Sequence, residues 1–393
     1  MMKHKLILMF LFLWIIGLNS SAQSIQSILN TIEKNNLEIQ AGQKLLESKE
    51  QEYRHTVMPE GPEFSYGYFP ESHENPGLKE TFAISQSFEF PVTYRNQSKY
   101  VQLKVEQEQV NQNLLRQEIL FQAQTLLIEY VYFSKMEQEL YKRYDHAKKL
   151  LDAYRQKLDA GDGNVLELNK SKLHVLHLEN QLKRNASALN RIREQLVYLN
   201  GNRSLELNVS DYELFEHFTT DSVLQERLSG GQEIIYSKLQ SKSSDQLVKV
   251  TKNKQLPKFN VGYGGETVVD EKFRGVLVGI SIPLWGSRSA IKSARYQAEF
   301  MQLNHQRLQE KVQTEVSVQT ENVESLAESL DDFRETLAQT GNLELLKKAR
   351  MLGDISVIEY FTEISYFYQV YDDYLRIEKE YYLALAELFK YKL

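Results

Sequence analysis

The sequence predicts a mainly α-helical chain with a small β part, in which one long unit is present twice. Three observations carry that prediction. Pro62-Glu63-Phe64-Ser65-Tyr66-Gly67-Tyr68 returns 195 residues later as Pro257-Lys258-Phe259-Asn260-Val261-Gly262-Tyr263, and Gly161-Asp162-Gly163-Asn164-Val165-Leu166-Glu167 returns 192 residues later as Gly353-Asp354-Ile355-Ser356-Val357-Ile358-Glu359. Apolar residues hold a seven-residue period over long stretches, the mark of helices packed lengthwise with a supercoil. Only 7 prolines and 18 glycines occur in 393 residues, and they cluster, so long helices run between them. The unit far exceeds the roughly 20–50 residues of a solenoid repeat.

Residues 1–22 read as a secretory signal: Lys3, His4 and Lys5, the apolar stretch Leu6 to Leu18, then Ser20-Ser21-Ala22. That apolar stretch, about 13 residues, is short for a membrane anchor. The first copy spans 23–200. It opens with a polar helical pattern from Ser24 to Val57, unbroken except at Gly42. Phe64 to Phe69 and Thr81 to Phe90 are strand candidates around the turn-rich Pro70 to Lys79, and Pro91 ends the pair. From Val92 to Ala160 one helix of on the order of 100 Å is expected at 1.5 Å per residue. Its stripe is Ile119, Ala123, Leu126, Tyr130, Phe133, Glu137, Leu140, Tyr144, Ala147, Leu151, Tyr154 and Leu158. After the Gly161-Asp162 break a helix follows over 164–200, and two shorter helices would pair alongside the long one in each copy.

Residues 201–221, with Gly201, Asn202 and Ser210, read as the linker. The second copy, 222–393, repeats the order: a helix from Ser222 to Leu256 bent at Ser229-Gly230-Gly231, strands over Phe259–Gly264 and Gly275–Ile282, Pro283, a very long helix, the Gly353-Asp354 break and a last helix. Val276, Val278, Ile280 and Ile282 alternate with Leu277, Gly279 and Ser281, the period-2 pattern of a strand with one apolar face. Tyr360, Ile364, Phe367, Tyr371, Tyr374, Glu378, Tyr381, Leu385 and Leu388 keep the heptad rhythm and read as packing rather than a ligand-stacking surface.

With no cysteine, disulfides, thiolate metal sites and an N-terminal lipid-bearing Cys are excluded. A net charge of -6 offers no basic stripe, so nucleic acid is not an expected partner. No phosphate loop, nucleophile elbow or His-Glu-x-x-His motif occurs, so neither a cofactor nor an enzymatic activity is expected. His174 and His177, three apart on a helix, and His146 read as surface histidines. Met58, Met136, Met301 and Met351 are scattered, without a metal-relay pattern.

Four strands in an exported chain need a sheet to belong to. Membrane barrels close from about eight strands upward, so four cannot close alone. A lipid-facing sheet cannot leave its edges unpaired, because hydrocarbon satisfies no N–H or C=O group. Either the sheet is soluble or several copies pool their strands under cyclic symmetry. The strand entries Pro62 and Pro257, the strand-to-helix prolines Pro91 and Pro283 and the paired Gly-Asp turns, in this order and duplicated, resemble the TolC family of outer-membrane efflux channels over essentially the whole mature chain, and Asn35-Asn36-Leu37-Glu38-Ile39 resembles the family's first helix. The resemblance implies a homotrimer, with four strands per chain in a shared twelve-stranded outer-membrane β-barrel and long coiled-coil helices forming an α-barrel tunnel in the periplasm. The chain departs from the family in stopping at Leu393 without a longer tail and in its short 201–221 segment.

The implied function is the passive exit duct of a tripartite efflux system, embedded in outer-membrane lipid and joined through a periplasmic adaptor protein to an inner-membrane pump. A type I protein-secretion channel shares that architecture, and a soluble periplasmic coiled-coil scaffold is the rival of another class. Read structurally, Gly161 and Gly353 permit a reversal at a helix end and Asp162 and Asp354 suit caps of the next helix. The resemblance adds that Gly161, Asp162, Gly353 and Asp354 form the adaptor-docking tip. It also makes Glu167, Glu359 and Glu363 candidates for a periplasmic gate, with Lys170 partly neutralising Glu167. The same carboxylates equally suit solvated helix faces.

Overall fold

A computed structural model describes residues 24–70, 77–213, 215, 217–268, 271–283, 287–339 and 342–393. The signal at 1–22 and parts of both strand-connecting loops lie outside the described residues. In chain order the elements are α1 (Ile25–Asn35), α2 (Leu37–His55), β1 (Glu63–Phe69), β2 (Lys79–Phe88), α3 (Pro91–Asp159), α4 (Val165–Leu199), α5 (Thr220–Gly230), α6 (Gln232–Asn253), β3 (Lys258–Val268), β4 (Glu271–Ser281), α7 (Ser287–Gln339), α8 (Asn342–Leu352) and α9 (Val357–Leu388). The expected order is present in both copies. Among the described residues no helix is long and apolar enough to cross a membrane.

The helix expected over 24–57 is two helices, and the break falls at Asn36 rather than Gly42. Asn36 is extended (φ -64, ψ 122), its N–H bonds the Ile32 carbonyl, and its buried side chain donates to the Leu199 carbonyl at 2.8 Å. The second copy breaks at the matching place: Gly231 has φ -61 and ψ 127, and its N–H bonds the Arg227 carbonyl. Gly42 sits inside α2, where an added Cβ would run into the Gln112 and Leu115 side chains of α3, so it serves close helix approach instead. The long helix of the first copy is the single α3 of 69 residues, whereas its counterpart is described as α7 and α8, of 53 and 11 residues.

The chain divides into two compact units, each drawn from both copies. One contains the sheet and residues 37–119, 217–322 and 388–393. Its four strands are antiparallel in the order β1-β2-β3-β4. The register puts Phe64 opposite Ile84, Tyr66 opposite Phe82, Ile84 opposite Tyr263, and Tyr263 opposite Val276. Because side chains alternate, these share one face with Phe88, Phe259, Val278 and Ile280. Ser65, Gly67, Thr81, Ala83, Ser85, Gly262 and Gly264 fall on the other. The apolar face is bare: Val276 is 72% and Val278 74% exposed. In the same unit α2 lies on α3 through Tyr53 Oη to Glu108 (3.0 Å) and Gln112 Nε2 to the Ile39 carbonyl (2.9 Å). The α6 helix lies on α3 through Gln246 Nε2 to the Asn96 carbonyl at 3.0 Å.

The other unit comprises, of the described residues, those within 24–36, 120–216 and 323–387. Here the heptad reading holds: Ala123, Leu126, Tyr130, Leu140, Ala147 and Tyr154 of α3 and Tyr360, Ile364 and Leu385 of α9 are buried. The polar position Glu378 is buried as well, held by Lys135 at 3.0 Å, which also reaches Asp211 at 2.8 Å. Arg143, its side chain 2% exposed, meets Glu139 at 3.1 Å and Asp372 at 2.8 Å and lies 4.3 Å from the Tyr368 ring centre. Such buried pairs add little net stability, since desolvation offsets attraction, but a slipped helix pairing would leave an uncompensated charge.

Candidate functional site: the paired helix reversals

Each copy reverses its helix by the same backbone device. At the end of α3 the Gly161 N–H bonds the Leu158 carbonyl and the Asp162 N–H the Lys157 carbonyl, both at 3.0 Å. At the end of α8 the Gly353 N–H bonds the Arg350 carbonyl and the Asp354 N–H the Ala349 carbonyl. This double closure satisfies the last free carbonyls and needs a left-handed residue; Gly161 has φ +85 and Gly353 φ +82. The residues after the glycines therefore finish the old helix and do not cap the next one. Asn164 caps α4, its Oδ1 accepting from the Leu166 N–H at 2.9 Å. Ser356 caps α9: its Oγ accepts from the Glu359 N–H at 3.2 Å while Glu359 Oε2 accepts from the Ser356 N–H at 2.7 Å. That is a reciprocal capping box.

Glu167 and Glu359 hold the same repeat position, but only Glu359 is folded back onto its own helix start. The Ser356 backbone N–H, then the Ser356 side chain, hold the Glu359 carboxyl below its ordinary range. Within one chain this opposes the upward shift that crowding in a gate would cause. Glu363, one turn further, lines a groove of about 450 Å³ with Leu337, Leu345, Tyr366 and Val370. Lys170 lies 5.5 Å from the Phe361 ring centre, and no ion pair joins it to Glu167 among the described residues.

The two reversals share one core. Tyr154 of α3, Leu168 of α4 and Val357, Tyr360, Phe361 and Ile364 of α9 pack together. Arg350 of α8 donates to Tyr154 Oη at 3.2 Å. Two of the expected surface histidines belong here. His146 contacts Tyr360 Oη at 3.2 Å, and the His174 ring stands edge-on to Phe361 with centroids 5.3 Å apart. Burial pushes both imidazoles down, His174 to about 4. Among the described residues no acidic, histidine or cysteine cluster is arranged to hold a metal. The histidines carried no sequence signal beyond their spacing, because their aromatic partners lie more than 180 residues away in the chain.

By sequence, no family model and no curated protein matches the chain. Solved structures do. The transmembrane-channel protein CusC superposes with a TM-score of 0.77 at 13% identity, over 96% of this chain and 95% of CusC. The outer membrane protein VceC from Vibrio cholerae gives 0.77 at 10% identity, over 93% of this chain and 95% of that one. This chain has the TolC-type channel fold. The Campylobacter jejuni CmeC outer membrane channel, at 0.73 and 14% identity over 93% of this chain and 85% of CmeC, shares it too. In this fold the two reversals and the four-stranded sheet belong to different units of the chain.

Proposed function

We propose that the chain is the outer-membrane exit duct of a tripartite efflux system. Three copies pool their strands into one twelve-stranded barrel. The helical part forms a tunnel in the periplasm, and the two reversals receive an adaptor that links the duct to an inner-membrane pump. The chain performs no chemistry of its own. The observation that carries this reading is the sheet: one bare face apolar along its middle, an opposite face mostly of small and polar residues though with Phe69, Phe273 and Leu277, and outer edges of β1 and β4 without a strand partner among the described residues. Such a sheet suits lipid only if other copies close it. An even number of antiparallel strands lets β4 of one copy pair with β1 of the next in the same antiparallel sense. Likeness to channel proteins supports the same reading.

Light scattering of detergent-purified protein is expected to give the mass of a trimer; a monodisperse monomer refutes the shared barrel. Val276→Asp places a charge at the middle of β4 on the apolar face and is expected to cost about 2 kcal/mol and impair membrane assembly. Leu277→Asp, on the other face, is expected to cost much less. Equal effects would mean that both faces see water.

A further inference from the structure

The bare face of the sheet changes character along its strands. By register its rows run across all four strands, and Phe64-Ile84-Tyr263-Val276 is the last row without a charge. The next row towards the strand-connecting loops is Tyr66-Phe82-Gly265-Arg274, and the outermost is Tyr68-Glu80-Thr267-Lys272. Every charge that the strands place on this face therefore lies in its two loop-side rows. Lys272 and Arg274 sit two residues apart on β4, about 7 Å at 3.4 Å per residue. The single acid, Glu80 on β2, already receives a hydrogen bond from the Tyr66 hydroxyl.

The two cations are exposed, and among the described residues neither has an ion pair or hydrogen bond. Lys79, at the same level on the opposite face, is paired with Glu266 at 2.7 Å. Ring closure supplies no acid either, because β1 of a neighbouring copy, set beside β4, carries Phe64, Tyr66 and Tyr68 on this face. We propose that Lys272 and Arg274 of each copy bind a phosphate monoester on the sugar headgroup of an outer-leaflet lipid. The inference rests on the shared-barrel reading above, which turns this face to lipid and its loop end outward. A phosphate monoester carries close to two negative charges and so answers both cations. A phosphodiester, with one charge, leaves the second cation unpaired. The Arg274 guanidinium is a planar fork for two phosphate oxygens, and Lys272 is a point charge for the third. The hydroxyls of Tyr68 and Thr267 in the outermost row suit a sugar, while Phe82 and Val276 offer apolar surface to the acyl chains below.

Native mass spectrometry of the full-length protein, delipidated in detergent, counts the lipids it takes up. The probes are lipid A, the same lipid with its phosphates removed, and phosphatidylglycerol as the diester. One lipid A per copy is expected, with the other two probes about tenfold weaker. Lys272→Gln with Arg274→Gln is expected to weaken lipid A binding about tenfold, and Lys79→Gln, on the opposite face, to leave it unchanged. Equal binding of the dephosphorylated lipid would mean that the apolar face alone retains it and overturns the site, whatever the variants do. Equal binding of phosphatidylglycerol overturns the preference for a monoester. Unchanged affinity in the double variant, or an equal loss in Lys79→Gln, removes the role of these two cations. A trimer that takes up no lipid A sinks this inference and leaves the shared barrel standing; a monomeric mass removes both.

Discussion

The reversal at Gly161 and the reversal at Gly353 are the same backbone put to two uses. Both close with the same pair of hydrogen bonds around a glycine at φ near +80. Beyond that they diverge. Val165 is 55% exposed, while Val357, at the matching position, is 4% exposed. Leu168 of the first copy faces Tyr360 of the second, also its repeat equivalent, inside one core. The first copy supplies the histidines and the second the aromatic rings that cover them. Glu167 has no counterpart to the Ser356 box that pins Glu359. Duplication has kept the backbone hydrogen bonds, which any sequence with glycine there can make, and released the side chains to become complementary.

If the shared backbone is what matters, the largest effect comes from breaking it. Gly161→Val and Gly353→Val each force a β-branched residue into left-handed φ, a cost of roughly 2 kcal/mol. An added Cβ at either position meets nothing within 4 Å, so the cost is conformational and should be equal at the two turns. Export with a partner pump is expected to fail in the double variant while trimer insertion survives, as membrane fractionation would show. Insertion and export both persisting would remove the reversals from the docking tip. A large inequality between the single variants would mean that one turn alone carries the contact.

The core between the turns gives the next effect. His174 has its pKa lowered from 6.5 to about 4 by burial first, then by His177 and His146. His146 is also lowered, by burial first and next by Lys347. A base with a lowered folded-state pKa takes up protons on unfolding. Its stabilising share is therefore full above pH 6.5 and falls as pH drops from there towards 4. Discounted for partial exposure, His174 is expected to cost about 1 kcal/mol at pH 5 relative to pH 7.5. Urea unfolding of the helical signal would measure it, and His174→Phe should flatten the dependence. An equally steep profile in that variant would place the acid sensitivity elsewhere.

Much of this architecture was legible because it depends on periodic burial. The stripe from Ile119 to Tyr154 is a local pattern that is buried at most of its positions along α3, and the alternation from Val276 lies in a strand that runs from Glu271 to Ser281 rather than from Gly275 to Ile282. The helix break at Asn36 was not legible. Asn36 and Gly231 take the same extended backbone with unlike side chains, and neither has the positive φ that marks a glycine as required. The caps, Asn164 and Ser356, fall two residues beyond the aspartates, since an aspartate after a glycine looks like a helix start although its N–H is still closing the helix before. Arg143 was invisible for another reason. A charge within an apolar stripe reads as solvated, and its partners Tyr368 and Asp372 lie over 220 residues away. Glu167 and Glu359 do differ, but through the Ser356 box at Glu359 and not through a Lys170–Glu167 pair, because the sequence shows their register and not their hydrogen bonds.

The caps sharpen the comparison further. Asn164→Ala and Ser356→Ala each remove one capping bond and should cost about 1 kcal/mol. Ser356→Ala should also raise the Glu359 pKa, because the Ser356 hydroxyl contributes to holding it down. Carboxyl titration of Glu359 by NMR of the labelled protein, with and without the substitution, would measure it. No movement of Glu359 would mean that the reciprocal box is not formed in solution.

The smallest effect is the most direct test of a gate. Three copies would bring three Glu359 and three Glu167 carboxylates to one narrow mouth, where like charges gather cations and exclude anions. Gln at position 359 retains an oxygen that can accept from the Ser356 N–H, so Glu359→Gln removes charge while keeping the cap. Glu167→Gln removes charge at a turn with no such box. Planar-bilayer recordings are expected to show a weaker cation preference, about twofold, and weaker block by trivalent cations in each variant. A change only in Glu167→Gln would mean that pinning Glu359 to its helix takes it out of the mouth. A change only in Glu359→Gln would mean that the second copy alone lines the opening. Wild-type selectivity and block in both variants, with the trimer intact, would show that neither carboxylate faces the conducting path.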